Sequence, residues 1–176
     1  MKIGYGYKLF EENENGKLFP LFIGKNEEVE IGKWVHAENI PTNGFAARPG
    51  WHIGMDVPDA PWLKGYDGTD VGYYNSRFKN GKRVWCLVSY NATNCYDSEV
   101  KLLTKKCFMD KIPEDGYYFF KEAGKGVWCI TSDIKIIRKI SEDERLEILK
   151  EKGYDEINAY KKYKTSLEKR INKERR

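Results

Sequence analysis

The segment 44–63 holds the residues of this chain that are best suited to chemistry. Its sequence, GFAARPGWHIGMDVPDAPWL, includes three of the six prolines, two of the five tryptophans and one of the two histidines. Arg48 and His52 lie four residues apart across a Pro-Gly-Trp turn, so both side chains could point toward one cavity. An arginine fork binds phosphate or carboxylate, and a histidine can donate, accept or transfer a proton near neutral pH.

Aromatic residues lie close to this pair in the sequence. Trp51, Trp62 and Tyr66 could stack against a base or another planar ring. The predicted ligand site therefore consists of Arg48, Trp51, His52, Trp62 and Tyr66. Within it, His52 is the candidate catalytic residue.

A structural explanation fits the same polar residues. In it, Arg48 forms an ion pair with Asp56 or Asp59, and His52 bonds to a carbonyl of the loop. The content of Pro and Gly predicts a long ordered loop, with neither a regular helix nor a central strand. The reason is that proline lacks an amide proton and glycine contributes no side-chain packing.

Other familiar site patterns are missing from the sequence. Four cysteines (86, 95, 107 and 129) lie 9, 12 and 22 residues apart without a CxxC pair, and neither histidine is at ligand spacing from them. We therefore expect no metal site and expect free thiols, with Cys86 and Cys129 buried. There is no GxSxG, Walker or Rossmann glycine pattern.

The positive charge is concentrated at the C-terminal end. The net charge is +4, but from residue 157 onward eight basic and two acidic residues give +6, which leaves −2 for the rest. Such a helix is usually solvated or faces a partner, yet it could also neutralise phosphates of a nucleic acid. The candidate contacts for nucleic acid or a host protein are Lys161, Lys162, Lys164, Lys169 and Arg170.

Alternating and continuous apolar runs predict the strands that must position these residues. Residues 3, 5, 7 and 9 alternate as in a half-buried strand, and Asn15-Gly16 predicts a hairpin turn to a partner strand at 18–23. Residues 83–90 are β-branched and aromatic throughout, which is typical of a central strand. Further strand candidates are 29–38 (with a short helical turn), 100–103, 117–121 and 127–140, the last interrupted at 132–133.

Helical signals follow the strands. Ser141 and Glu144 have capping-box spacing, and Gly153 can end the helix that they begin. A second helix is expected from about Asp155. The sequence thus predicts an α+β fold: a mostly antiparallel β-sheet body with long loops over 1–140, and a helical C-terminal segment over 141–176 that is basic from 157.

No part of the sequence suggests a membrane protein. No apolar run approaches the ~20 residues of a membrane-spanning helix, and the first residues lack the apolar core of a signal peptide. We therefore expect a cytoplasmic protein with no membrane partner.

Several short sequences occur in a fixed order: YKLF (7–10), GKLFPLF (16–22), GKW (32–34), RPGWH (48–52), IPEDGYYF (112–119) and WCI (128–130). They resemble an uncharacterised domain of phages and mobile elements that is often embedded in large polyvalent phage proteins. The resemblance spans roughly residues 5–150. It implies a phage- or mobile-element-type accessory protein and brings no established activity.

The order of elements is also similar to that of ADP-ribosyltransferases. That similarity implies that a His or Arg and an aromatic residue hold NAD, and that a late Glu or Gln completes the site. The late run 127–140 contains Asp133 and no glutamate, which leaves Glu122, a few residues before it, as the candidate. Three functions thus stay open: binding of a nucleotide-like or other anionic ligand at the Arg48–His52 loop, an NAD-using enzyme, and a non-catalytic protein that binds a host protein.

Overall fold

The computed structural model describes residues 1–22, 24–40, 48–63, 76–101, 108–122 and 124–175. Within these ranges the chain forms one sheet and three helices. The strands are β1 (Ile3–Glu12), β2 (Leu18–Phe19), β3 (Trp34–His36), β4 (Trp51–Gly54), β5 (Lys82–Asn91), β6 (Asn94–Cys95), β7 (Gly116–Glu122), β8 (Gly126–Thr131) and β9 (Asp133–Ile140). The helices are α1 (Asp97–Lys101), α2 (Glu142–Glu151) and α3 (Glu156–Glu174), and Pro61–Leu63 form a 3₁₀ turn.

The sheet confirms the predicted α+β class. Its strand order is β3-β9-β5-β1-β4-β8-β7-β6, and β2 pairs with β1 outside this path. Every described pairing is antiparallel except that of β6 with β7. None of the described helices is long and apolar enough to cross a membrane.

Strand β1 lies in the middle of the sheet. It pairs with β5 along its whole length, from Ile3↔Asn91 to Glu12↔Lys82. Successive side chains point to opposite faces, and both faces are covered near its centre: Phe10 belongs to one buried cluster and Leu9 to another. The alternating residues 3, 5, 7 and 9 are not all buried. Leu9 is buried, whereas Ile3, near the start of the strand, is 46% exposed.

The hairpin at the start of the chain is confirmed. Asn13 Oδ1 accepts hydrogen bonds from the amides of Asn15 and Lys17, which closes the turn between β1 and β2. Strand β2 is shorter than the predicted 18–23, because it ends directly before Pro20, which has no amide to donate.

The central and late strands form where the sequence predicts them, whereas the predictions for 100–103 and 29–38 are wrong in their described parts or only partly right. The runs 83–90, 117–121 and 127–140 become β5, β7 and the pair β8–β9, which is divided at Ser132. The predicted strand at 100–103 is wrong in its described part. Residues 97–101 form α1, whose Val100 packs into a buried cluster with Met109. In 29–38 only Trp34–His36 are extended, and no helical turn follows in the described residues up to 40.

The prediction that 44–63 excludes a central strand is also wrong for the described residues 48–63. Strand β4 lies between β1 and β8 and pairs with β8 from Trp51↔Thr131 to Gly54↔Trp128. The prolines lie outside the strand, so they remove no hydrogen bond from the ladder. Gly50 directly precedes the strand with a φ of +130°, and a Cβ there would lie 2.5 Å from Ile130 Cγ2.

Both C-terminal helices begin at the predicted residues, and α2 ends before the predicted glycine. Ser141 Oγ accepts from the amide of Glu144 at 3.2 Å, and Gly153 follows α2 with a φ of +62°. Asp155 caps α3 by accepting from the amides of Ile157 and Asn158. The cap residues fix both helix starts because they satisfy amides that have no partner inside the helix.

A buried arginine ties both helices to the segment that follows β4. Arg145, on α2, is 4% exposed and lies 3.6 Å from Asp59, 2.9 Å from Glu142 and 2.6 Å from Glu156 of α3. Asp59 also accepts from the hydroxyl of Tyr154 at 2.7 Å. The helices are therefore attached to the sheet body through charges that are withdrawn from water.

Replacing this arginine should destabilise the protein strongly. In Arg145→Ala the Asp59 carboxylate stays buried without its guanidinium, and such a loss costs about 3–5 kcal/mol of unfolding free energy. Arg138→Ala is the matched control, because its pair with Glu144 is exposed and should be worth less than about 1 kcal/mol. Urea unfolding of both variants measures the difference in unfolding free energy. Equal losses in the two variants would contradict the stabilising role of Arg145.

Candidate functional site

A cavity of about 340 Å³ lies where β1 and β4 separate. The two strands share a single residue pair, Tyr7↔Gly54. Beyond it, β1 continues beside β5 and β4 continues beside β8. Lys8 Nζ donates to the carbonyl of His52 at 2.9 Å. A side chain of β1, and not its backbone, therefore satisfies this carbonyl, and the space between the strands is left open.

Aromatic rings form much of the cavity wall. Four of the five tryptophans line it together with Phe120; the four are Trp51, Trp62, Trp85 and Trp128. The indole of Trp51 is fixed by a 3.0 Å bond from Nε1 to the Val35 carbonyl. Trp62 and Trp128 meet edge to face, with ring centroids 5.0 Å apart. Such rings present flat apolar surfaces that can pack against a planar ligand.

Arg48 lies in the same wall, held by rings and by one carboxylate. Its guanidinium carbon is 4.9 Å from the ring centre of Phe108 and 5.3 Å from that of Phe120. Its Nη1 is 3.5 Å from Glu122 Oε2, and Lys125 Nζ is 3.4 Å from the other oxygen of that carboxylate. Two cations thus share one anion, which leaves the group with a net positive charge.

The ion pair of Arg48 differs from the predicted structural alternative. Asp56 instead accepts from the Val127 amide at 3.1 Å, and Asp59 belongs to the Arg145 cluster. Arg48 Nε is buried and has no hydrogen-bond partner among the described residues. The guanidinium therefore keeps donor capacity that its protein contacts do not use.

His52 is held by the backbone, as the structural alternative predicted. Its Nε2 lies 2.9 Å from the Arg48 carbonyl, so this nitrogen carries the proton and donates. Burial, with the nearby positive charges of Lys8 and Arg48, lowers the pKa of His52 to about 4, although the bond to the Arg48 carbonyl opposes the shift. The ring is neutral at pH 7, and this tie fixes the turn that carries Arg48. The catalytic role of His52 stays a prediction.

The sequence reasoning overlooked Lys8. Burial lowers the pKa of its amine to about 8, and the amine lies 5.7 Å from the ring centre of Trp51 and 5.9 Å from that of Phe10. No described carboxylate lies within ion-pair distance of it. The signal in the sequence was one lysine inside the aromatic run Tyr7–Phe10 of a strand that proved to be central.

The structure brings together most of the predicted ligand site. Arg48, Trp51, His52 and Trp62 all line the cavity. Tyr66 lies outside the described residues. Glu122, the glutamate that precedes the late strands, lies at the cavity as the partner of Arg48. In the part of the chain that the structure describes, no three His, Cys, Asp or Glu side chains gather as a metal site.

Some of the basic residues of α3 lie at a second groove of about 900 Å³, which shares Lys125 and Trp128 with the cavity. Lys161, Lys162 and Lys169 line it from the helix, and Lys121 lines it from β7. Lys164 is half-buried and Arg170 is exposed; neither lines the groove. The predicted contact residues thus divide into three at the groove and two elsewhere on the helix.

The neutral state of His52 should make stability depend on pH. An ordinary histidine has a pKa near 6.5. Between that pH and pH 4, His52 is therefore protonated in the unfolded chain but remains neutral in the folded chain. Stability should therefore fall from pH 6.5 to 4, by about 3 kcal/mol at pH 4. Urea unfolding at pH 7 and pH 4 should show this extra loss in the wild type and not in His52→Gln. The same pH dependence in both proteins would contradict the assignment.

Comparison of the chain with protein-family models, with curated proteins and with solved structures found no match. The resemblance to a phage or mobile-element domain stays a prediction.

Proposed function

We propose that this chain binds a small, planar, anionic molecule of nucleotide-like chemistry in the cavity between β1 and β4. The observation that carries the proposal is a single cavity that is lined both by Arg48, which has an unused buried donor, and by four tryptophans. Charge and stacking surface are the two features that such a ligand requires. A phage- or mobile-element accessory role would fit the sequence resemblance.

The anionic part of the ligand would bind at Arg48. The guanidinium is already oriented by Glu122 and by two phenyl rings, so little side-chain freedom is lost when an anion binds. Lys125 shares Glu122 and adds a second positive charge at this end. A phosphate or carboxylate can therefore bind here without displacing the existing ion pair.

The ring of the ligand would pack among the indoles. Trp62 contacts both Lys125 and Trp128. Lys125 Nζ lies 5.6 Å from the centre of the Trp62 ring, and the Trp128 ring meets it edge to face. The volume of about 340 Å³ is near the lower end of the range for ligand pockets. One ring with one acidic group suits this space better than a dinucleotide does.

Replacing the anion-binding residue should weaken ligand binding. With AMP as the probe and tryptophan fluorescence as the signal, Arg48→Ala should raise the Kd by about tenfold or more, because a charge-assisted bond contributes about 1.5–3 kcal/mol. Trp62→Ala should weaken binding by a similar factor, since stacking is worth about 1–3 kcal/mol.

The matched control is Arg175→Ala, which removes the same charge at the exposed end of α3. Its Kd should equal that of the wild type. Unchanged binding in Arg48→Ala and Trp62→Ala, or no fluorescence response to AMP, inorganic phosphate or NAD, would overturn the proposal.

Incubation of the protein with NAD, followed by measurement of released nicotinamide, distinguishes the NAD-using alternative. An ADP-ribosyltransferase-like enzyme would release nicotinamide from NAD, and the release would be lost in His52→Ala. A stoichiometric host protein that binds while no small molecule does would favour the third alternative, a non-catalytic binding protein.

We also propose a nucleic-acid contact at the groove beside α3. Five lysines line it against three aspartates; the lysines are Lys121, Lys125, Lys161, Lys162 and Lys169. Residues from two separate elements thus place positive charge on one concave surface. Such a surface can follow a phosphate backbone.

Removing three of these charges should weaken oligonucleotide binding and make its affinity less dependent on salt concentration. For a fluorescent single-stranded oligonucleotide, Lys161→Ala/Lys162→Ala/Lys169→Ala should reduce the salt slope by about 2, since each single-strand phosphate contact contributes about 0.7. Lys2→Ala/Lys33→Ala/Lys79→Ala removes the same net charge from exposed positions elsewhere. Equal effects of the two triple variants would show that the binding depends on net charge and not on the groove.

A further inference from the structure

The amine of Lys8 is unusual among the lysines near the cavity. Lys125 is paired with Glu122 at 3.4 Å, and Lys139, two strands away in the ladder, is paired with Glu12 at 2.6 Å. Lys8 contacts no described carboxylate, and its hydrogen bond goes to the neutral carbonyl of His52. Among the described residues, no carboxylate therefore compensates its charge.

The position of this amine is fixed by three contacts. Strand β1 holds the Lys8 backbone opposite Cys86, the His52 carbonyl accepts from Nζ at 2.9 Å, and the rings of Trp51 and Phe10 lie within 6 Å. Lys8 lines the cavity together with His52 and Trp51, two of the residues that its amine contacts, which puts the amine within reach of a bound ligand. A neutral amine keeps the bond to the carbonyl through one N–H and retains a lone pair.

The surroundings favour the neutral form. Burial lowers the pKa of Lys8 to about 8, so about a tenth of the amine is neutral at pH 7, against about 0.04% for a lysine with an ordinary pKa. The titratable groups around it are neutral His52 on β4, buried Cys86 on β5 and the Arg48–Glu122 pair. Glu27 and Glu28 also line the cavity.

We propose that Lys8 forms an imine with a carbonyl group of an anionic, ring-bearing ligand bound in this cavity. This inference rests on the proposed ligand binding and narrows the ligand to an aldehyde or ketone. Arg48 would hold the acidic group and the indoles the ring, which leaves the carbonyl to meet Nζ. Lowered amine pKa and desolvation are the means by which proteins make lysine a nucleophile.

The reaction is balanced without an oxidant or reductant. The nitrogen lone pair attacks the carbonyl carbon and forms a C–N bond, while the carbonyl oxygen takes up a proton and the nitrogen loses one. The carbinolamine then loses the hydroxyl as water, and a C=N bond forms. The products are the imine and one water molecule, and the proton transfers pass through solvent.

Pyridoxal 5′-phosphate is a suitable probe because it combines a ring, a phosphate and an aldehyde. The full-length protein is incubated with it at pH 7, reduced with borohydride and mapped by peptide mass spectrometry. We expect the adduct at Lys8 to exceed that at Lys2, which is exposed near the same end of the chain, by about tenfold or more. The rate should rise through pH 8.

Pyridoxine 5′-phosphate, which carries an alcohol in place of the aldehyde, separates binding from reaction. Tryptophan quenching by both compounds with a Lys8 adduct from the aldehyde alone supports the inference. Quenching by both without preference for Lys8 overturns the inference and leaves the proposed binding intact. No quenching and no Lys8 adduct overturns both.

A variant tests whether the amine acts chemically or only supports the fold. Lys8→Arg retains a donor for the His52 carbonyl and cannot form a stable imine. It should bind pyridoxine 5′-phosphate within about threefold of the wild type and lose the reducible adduct in the cavity. If this variant fails to fold, the adduct map and pH profile of the wild-type protein decide the question, and a Lys8 adduct no greater than that at Lys2 overturns the inference.

Discussion

The separation of β1 from β4 after one residue pair is the constraint on which the candidate site depends. Gly6 allows the two strands to touch at Tyr7↔Gly54, since a Cβ on Gly6 would lie 2.4 Å from Ile53 Cγ2 and 2.9 Å from the Gly54 carbonyl oxygen. Beyond that contact each strand follows a different partner. The sheet therefore contains an opening in its middle, and the Lys8 side chain replaces the missing backbone hydrogen bond at its edge.

This opening explains why polar groups are found deep in an aromatic region. A carbonyl left by the interrupted ladder must be satisfied, because an unpaired buried acceptor is costly. Lys8 bonds to the His52 carbonyl and the His52 ring bonds to the Arg48 carbonyl. The two bonds hold the turn that carries Arg48, so its guanidinium is oriented before any ligand arrives.

Local sequence signals correctly predicted the elements whose formation depends on nearby residues. They gave wrong predictions where an element forms by pairing with a distant part of the chain. The Asn15-Gly16 turn, the β-branched run of β5 and the Ser141 cap each act within a few residues, and each was found where predicted. The Pro and Gly content of the segment 44–63 predicts a loop, yet its described part, 48–63, contains the strand β4. Its four-residue strand is stabilised instead by β8, whose residues lie more than seventy positions later in the chain.

By itself the sequence determined the fold class, the starts of the two C-terminal helices and the grouping of Arg48, Trp51, His52 and Trp62, because composition and short-range spacing carry that information. Only the tertiary structure decided that Glu122 is the ion-pair partner of Arg48 and that His52 is neutral. It also placed Lys8 in the cavity, through a bond between residues 44 positions apart. Desolvation and long-range pairing arise from the packing of distant segments, and no local pattern records them.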